Sequence, residues 1–185
     1  NLKIPVPPGF TISTEVCTYF MNTGKYPPGF KKQVTQALNH IEISINKKFG
    51  DNLNPLLLSV RSGARQSMPG MMETVLNIGL TKKTIVGLIK KTNNERFAYD
   101  SLRRLITMYA DVVMEKANGL DCQIRNKLEK EFDKIKKKYH IKNDYDLTSK
   151  QLKSICENYE KIIQKQFKLS FPQNHKQQLW DSIEA

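Results

Sequence analysis

The chain has 185 residues, of which 39% are hydrophobic and 26% are charged, and its formal net charge is +12. These proportions are typical of a soluble globular protein with a sizeable core, and no apolar run approaches the ~20 residues that a membrane-spanning helix needs. The three cysteines lie far apart and their number is odd, which excludes a disulfide framework and a CxxC metal site.

The positive charge is concentrated in the second part of the chain. Residues 1–80 hold 8 Lys and Arg against 4 Asp and Glu, whereas residues 81–185 hold 22 against 14. In the most basic stretch, Glu129, Glu131 and Asp133 alternate with lysines, as on a solvated helix face. We therefore predict neither nucleic acid nor a membrane as a partner. A basic helical module for nucleic-acid binding or protein interaction remains the alternative from a different functional class.

The first fifty residues predict an extended segment and two helices. Three prolines in PVPPGF at 5–10 fix φ and remove backbone donors, so this segment is expected to be extended. Apolar residues at spacings of three and four predict helices over 15–22 and 30–48, and Gly24 is a stop signal for the first.

Residues 55–80, PLLLSVRSGARQSMPGMMETVLNIGL, predict two strands separated by a loop. The apolar run at 56–60 has the length of a buried strand, and 74–78 reads as a second strand. The loop between them contains glycines and arginines, a combination that suits the binding of an anion.

The loop chemistry leaves two interpretations open. Arg61 and Arg65 are planar, bidentate donors for phosphate oxygens, and no carboxylate follows them until Glu73. Gly63 and Gly70 allow positive φ or a close approach of the backbone to a ligand. The alternative is that both arginines form ion pairs with Asp or Glu from elsewhere in the chain.

Residues 81–185 predict helices only. Thr81 is a candidate cap for the first of them, Thr148 and Gln151 match a capping box, and Pro172 suits the first turn of the last helix. The predicted helices cover 82–91, 95–114, 121–140, a stretch beginning at Thr148, and a stretch beginning after Ser170.

The segment SVRSGARQSMPGMMETVLNIGL resembles the signature of the pyruvate, phosphate dikinase family, in its nucleotide-binding domain. Four further segments are similar to that domain in order and spacing, and the resemblance is weakest over 115–168. The four segments are PVPPGFTISTEVC at 5–17, KKFGDNLNPLLLSVRSGAR at 47–65, NNERFAYDSLRRLITMYADVVM at 93–114 and FPQNHKQQLWDSIEA at 171–185.

The resemblance implies an α+β, helix-rich fold: a partial ATP-grasp-type nucleotide-binding domain with few short strands, followed by an all-helical subdomain. Residues 1–80 are expected to form the mixed α/β part that carries the SVRSGAR loop, and residues 81–185 the helical subdomain. The family converts ATP, phosphate and pyruvate to AMP, pyrophosphate and phosphoenolpyruvate through a phosphohistidine on another domain.

The resemblance also assigns site residues. Arg61 and Arg65 fall where the family binds the phosphates of ATP. Weaker candidates, as loop N–H or hydroxyl donors, are Ser62, Gly63, Ser67 and Gly70. His40, His140 and His175 lie in no phosphohistidine motif.

Other parts of the family's site are expected outside this sequence. A glycine-rich, lysine-bearing segment should precede Asn1, and the Mg²⁺-binding carboxylates should follow Ala185. We therefore expect a fragment with no catalytic residue or metal ligand of its own, inactive in isolation, whose full-length enzyme uses ATP and Mg²⁺. Its expected partners are phosphate, pyruvate, the remaining domains of the same chain and a second copy in a homodimer, in the cytoplasm or a glycosome-like organelle.

The nearest alternative within the same chemistry is phosphoenolpyruvate synthase, which uses water in place of phosphate. It shares the SVRS opening, but its loop continues without GARxSMPGMM. Because the chain carries GARQSMPGMM at 63–72, the phosphate-using enzyme is favoured.

Overall fold

The computed structural model describes residues 6–63 and 73–185. Contacts divide the chain into two compact units, Asn1–Lys48 and Phe49–Ala185. The predicted division at residue 80 into two parts of one nucleotide-binding domain stays a prediction.

The first unit contains two helices, α1 (Thr14–Thr23) and α2 (Phe30–Ile45). As predicted, α1 stops at Gly24, which takes a left-handed φ of 65° and donates its N–H to the Phe20 carbonyl. The apolar face of α2 is also confirmed, because Phe30, Val34 and Ile41 are buried. However, α2 ends three residues before the predicted position, since Asn46 adopts a left-handed conformation and closes the helix.

Four short strands follow, the first of which spans the boundary between the two units. One strand is predicted at 56–60, but the chain forms two strands that are interrupted at Leu57. Residues 55–56 pair with the strand that precedes them in the sequence, whereas residues 58–61 pair with the strand that follows the loop. The predicted strand at 74–78 is confirmed. The strands are β1 (Lys48–Phe49), β2 (Pro55–Leu56), β3 (Leu58–Arg61) and β4 (Thr74–Ile78).

Strands β3 and β4 form an antiparallel hairpin whose register pairs Arg61 with Thr74. The register is irregular between Leu58 and Val60. On its buried side, β4 contributes Val75 and Ile78, which are almost fully inaccessible to solvent. The hairpin therefore presents Arg61 at the end remote from Ile78.

Residues 81–185, all of which the structure describes, contain no strand, as predicted. Helix α4 lies at the centre of this part and packs against α6, α5, α3 and β4. No described helix is long and apolar enough to cross a membrane. The α-helices are α3 (Thr84–Thr92), α4 (Glu95–Tyr109), α5 (Ile124–Lys138), α6 (Ser149–Phe167) and α7 (His175–Glu184).

Three helix boundaries test the predicted caps. The capping box of α6 is confirmed, with reciprocal hydrogen bonds between Thr148 and Gln151. Thr81 supports α3 by accepting, at its hydroxyl, a hydrogen bond from the Thr84 N–H. The predicted start of α7 is wrong: the Asn174 side chain caps the helix, which begins at His175.

The predicted helix 95–114 is α-helical only to Tyr109. It continues as a π-helical segment over Ala110–Glu115 and a 3₁₀ turn over Lys116–Asn118. The π-helical segment buries two carboxylates, Asp111 and Glu115. Such insertions commonly occur at functional sites.

Gly87 on α3 allows a close approach to the segment that leads into β2. A Cβ atom at this position would lie 2.3 Å from the carbonyl oxygen of Asn52. Alanine favours an exposed helix by up to ~1 kcal/mol over glycine, but here the backbone must move to accept it. We expect Gly87→Ala to lower the free energy of unfolding by about 2 kcal/mol, measured by urea denaturation. Increased stability would contradict this packing.

Candidate functional site

The described part of the predicted site, residues 61–63, lies at the open end of the β3–β4 hairpin. Ser62 and Glu73 face each other where the chain leaves β3 and re-enters at β4. The Ser62 N–H donates to the Glu73 carbonyl at 3.0 Å, and the Glu73 N–H donates to the Ser62 hydroxyl oxygen at 2.9 Å. The same hydroxyl lies 3.2 Å from the Glu73 carbonyl, to which it donates. These three bonds, the Ser62–Glu73 clasp, close the base of the loop.

Arg61 is the last residue of β3 and is exposed. Among the described residues, no carboxylate and no carbonyl accepts a hydrogen bond from its guanidinium. The other four described arginines all have such a partner: Arg96 bonds the Leu147 and Asp144 carbonyls, Arg103 and Arg104 bond Asp100, and Arg125 bonds Asp111. Within the described part of the chain, Arg61 thus retains its full set of donors for a ligand.

The structure brings together three of the six predicted site residues. Arg61, Ser62 and Gly63 are consecutive and exposed at the hairpin end. Gly63 does not adopt a positive φ, and a Cβ atom there would meet nothing within 4 Å. Among the described residues, neither backbone conformation nor packing therefore requires a glycine at this position. The other predicted site residues, Arg65, Ser67 and Gly70, lie outside the described residues.

A cavity of about 600 Å³ opens next to the clasp and was not predicted from the sequence. Its wall joins the beginning of β4 to the π-helical segment and the first turn of α5. Its charged lining residues are Glu73, Asp111, Glu115, Lys116 and Arg125.

Ion pairs connect four of these charged groups, Glu73, Lys116, Asp111 and Arg125, in a row. The Lys116 Nζ atom lies 2.6 Å from Glu73 Oε1 and 3.4 Å from Asp111 Oδ2. Arg125 reaches the same Asp111 oxygen at 2.6 Å. The Asp111 side chain is only 6% exposed, so the two cations compensate a buried charge. The hydrogen bond to Glu73 is the main cause that raises the pKa of Lys116, which therefore remains an ammonium ion at neutral pH.

Glu115 has a structural role in the same wall. Its buried carboxylate accepts a hydrogen bond of 2.7 Å from the Ile124 N–H, in the first turn of α5. The Gln123 side chain at the cap position forms no such bond, so Glu115 supplies the missing acceptor from another element. The only signal for this in the sequence is the pair of acids four residues apart in the apolar run ADVVME at 110–115.

The described residues do not offer a metal site. No group of three or more His, Cys, Asp or Glu side chains among residues 6–63 and 73–185 is arranged to hold a metal ion. The acids of the cavity are instead engaged by Lys116, Arg125 and the α5 N-terminus.

Comparison with curated proteins shows which proteins the chain is similar to. Over all 185 residues the chain is 44% identical to a pyruvate, phosphate dikinase of Giardia intestinalis, and it is 44% identical to that of Clostridium symbiosum over 186 aligned positions. The chain is similar to pyruvate, phosphate dikinase from end to end. A chloroplastic pyruvate, phosphate dikinase of Arabidopsis thaliana is 42% identical, again over 100% of this chain. The resemblance predicted from the sequence is confirmed.

The similarity concerns one segment of these relatives. The chain covers 20% of the Giardia and Clostridium proteins and 18% of the Arabidopsis protein, so it spans about a fifth of their length. No family model matches the chain.

Proposed function

We propose that this chain is the ATP-binding part of a pyruvate, phosphate dikinase, built on an ATP-grasp-type nucleotide-binding domain. The observation that carries the proposal is the 44% identity over the whole chain to dikinases from two distant organisms. In this proposal, residues 1–80 and 81–185 are the mixed and the helical parts of one nucleotide-binding domain.

Arg61 is proposed to bind the phosphates of ATP. Phosphoryl transfer depends on positioning and on stabilisation of negative charge that spreads over the phosphoryl oxygens. The exposed guanidinium at the end of β3 has no acceptor among the described residues, which supports this role. Arg65 is proposed as a second phosphate ligand on the grounds of the sequence motif alone.

Ser62 and Gly63 are proposed to contribute differently. The Ser62 hydroxyl donates to the Glu73 carbonyl and accepts from the Glu73 N–H, so its hydrogen is already engaged. We assign Ser62 to shaping the loop rather than to donating to ATP. Gly63, with open space where a side chain would stand, suits a backbone N–H that approaches a phosphate closely. Ser67 and Gly70 remain proposed loop donors from the motif.

The proposed reaction converts ATP, phosphate and pyruvate to AMP, pyrophosphate and phosphoenolpyruvate, through a phosphohistidine on a further domain of the same chain. Mg²⁺ would neutralise phosphate charge in such a reaction. The described residues provide no ligand set for it, so its ligands are proposed to lie elsewhere, and we assign no step to the ion here. A homodimeric full-length enzyme is part of the same proposal.

The test is turnover of the full-length protein with ATP, Mg²⁺ and pyruvate, with and without inorganic phosphate. We expect AMP and pyrophosphate to form together, and only when inorganic phosphate is supplied. Turnover that is independent of phosphate would instead indicate the water-using synthase, and absence of AMP under both conditions would refute the proposed activity. As a control, the isolated 185-residue chain should yield no AMP or pyrophosphate.

A further inference from the structure

Lys116 joins the loop base to the helical part of the second unit. Its Nζ atom donates to Glu73 Oε1 at 2.6 Å and to Asp111 Oδ2 at 3.4 Å. Glu73 directly precedes β4, whereas Asp111 lies in the π-helical segment. One ammonium group thus bridges two elements that are far apart in the sequence.

Through Glu73, this bridge is connected to the backbone next to Arg61. The Glu73 backbone forms all three bonds of the Ser62–Glu73 clasp, and Ser62 directly follows Arg61. Arg61 itself pairs with Thr74, the residue after Glu73. A displacement of Glu73 is therefore transmitted through the clasp to the backbone that carries the Arg61 guanidinium.

The π-helical segment is a firm anchor for the other end. Asp111 is buried and also bound by Arg125, while Glu115 in the next turn holds the N-terminus of α5. Asp111 is thus fixed in place, whereas Glu73 belongs to the hairpin. By binding both carboxylates, Lys116 restrains the hairpin relative to α4 and α5.

We propose that Lys116 is a positioning residue for Arg61, acting through Glu73 and the Ser62–Glu73 clasp. Its effect on nucleotide binding rests on the proposed function. Its effect on the clasp does not, because that link is formed entirely by contacts within this chain.

Arg125 provides a matched control. It is a cation of similar exposure that binds the same Asp111 oxygen, with side-chain exposures of 47% for Arg125 and 49% for Lys116. Unlike Lys116, it forms no ion pair with Glu73 or any other carboxylate of the described hairpin residues. A variant at Arg125 therefore removes comparable charge from Asp111 and leaves the bridge in place.

The first experiment measures amide hydrogen exchange in the 185-residue chain by NMR. Lys116→Met is expected to accelerate exchange of the Ser62 and Glu73 amides about two- to fivefold, the size expected for loss of an exposed ion pair. Glu73→Met, which leaves no acceptor for the Lys116 ammonium at this position, should give the same acceleration, and the double variant no more than either single one. Arg125→Met should leave both amides at the wild-type rate.

Two outcomes of that experiment overturn the proposal. Unchanged Ser62 and Glu73 exchange in Lys116→Met shows that the bridge does not restrain the clasp. Equal acceleration by Arg125→Met shows that the effect is a general loss of stability around Asp111. If the Lys116→Met chain fails to fold, Glu73→Met is used instead, because it removes the same bridge at its more exposed end.

The second experiment uses the full-length protein. Lys116→Met is expected to raise KM for ATP about threefold with little change in kcat, and Lys116→Arg to restore KM because it keeps a donor for both carboxylates. If Lys116→Met changed amide exchange but not KM, the bridge would restrain the clasp, but Lys116 would have no positioning role in ATP binding. If Arg61→Ala also left ATP kinetics unchanged, the proposed function itself would fail while the exchange result stood.

Discussion

Replacement of Arg61 by alanine is expected to lower kcat/KM for ATP at least ~10²-fold in the full-length protein, which corresponds to about 2.7 kcal/mol of transition-state stabilisation. The loss follows from the position of the guanidinium at the end of β3, where it is exposed and has no acceptor among the described residues. Alanine removes a planar cation that can bind two phosphoryl oxygens at once.

A graded series separates charge from geometry. Arg61→Lys retains a positive charge but loses the bidentate fork, so its kcat/KM should fall between those of the wild type and Arg61→Ala. Lys153→Ala removes an exposed cation from α6 and is expected to leave kcat/KM unchanged.

The thermal transition provides the folding control for this series. The Arg61 side chain has no described partner to lose, so Arg61→Ala should melt within a few degrees of the wild type. Full activity of Arg61→Ala would refute its assignment to the phosphates. A large drop in melting temperature would instead show that Arg61 supports the fold.

Local sequence signals predicted much of the secondary structure. Helices α2, α5 and α6 follow from apolar spacing, because a single buried stripe is sufficient to define an amphipathic helix. The Thr148–Gln151 capping box and the stop at Gly24 were predicted correctly, since each depends on residues within one turn. The prediction of strand β4 is correct, whereas the prediction of one continuous strand before the loop is wrong.

Features that depend on distant residues were not predictable in the same way. The π-helical segment has the apolar pattern of an ordinary helix, and the partners of its buried acids, Arg125 for Asp111 and the Ile124 N–H for Glu115, lie outside it. The predicted start of α7 relied on Pro172, but the side chain of Asn174 provides the stronger local cap. The sequence pattern also does not show that the Pro172 carbonyl, before the helix, accepts a hydrogen bond from the Gln178 side chain.

In the candidate site, too, local features are predictable from the sequence, whereas contacts between distant residues are not. Its motif placed Arg61, Ser62 and Gly63 together because they are adjacent in the sequence. The bridge from Lys116 to Glu73 spans 43 residues and depends on how α4 continues beyond Tyr109. Pairing of Arg61 with a carboxylate, which the sequence left open, is not observed among the described residues.

Gln178 bonds three backbone groups and so connects two segments, 79–80 and 172, in the core of the second unit. Its side chain is fully buried, accepts a hydrogen bond from the Gly79 N–H at 2.9 Å and donates to the carbonyls of Leu80 and Pro172 at 3.1 and 2.8 Å. Gly79 follows β4 with a φ of 100°, and a Cβ atom there would lie 2.7 Å from the Phe49 ring. The turn that ends the hairpin thus depends on Gln178 for its hydrogen bonding.

Gln178→Ala is expected to lower the free energy of unfolding by about 3–5 kcal/mol, because it leaves three buried backbone groups without their partner and opens a cavity. Urea denaturation followed by fluorescence of Trp180, the only tryptophan, measures this change close to the substituted position on α7. Gln173→Ala is the matched control: Gln173 also bonds the backbone, at Lys82 N–H, but is exposed. Water can replace it there, so its loss should cost less than about 1 kcal/mol. Equal effects of the two substitutions would show that burial of the Gln178 amide does not determine the stability of the turn.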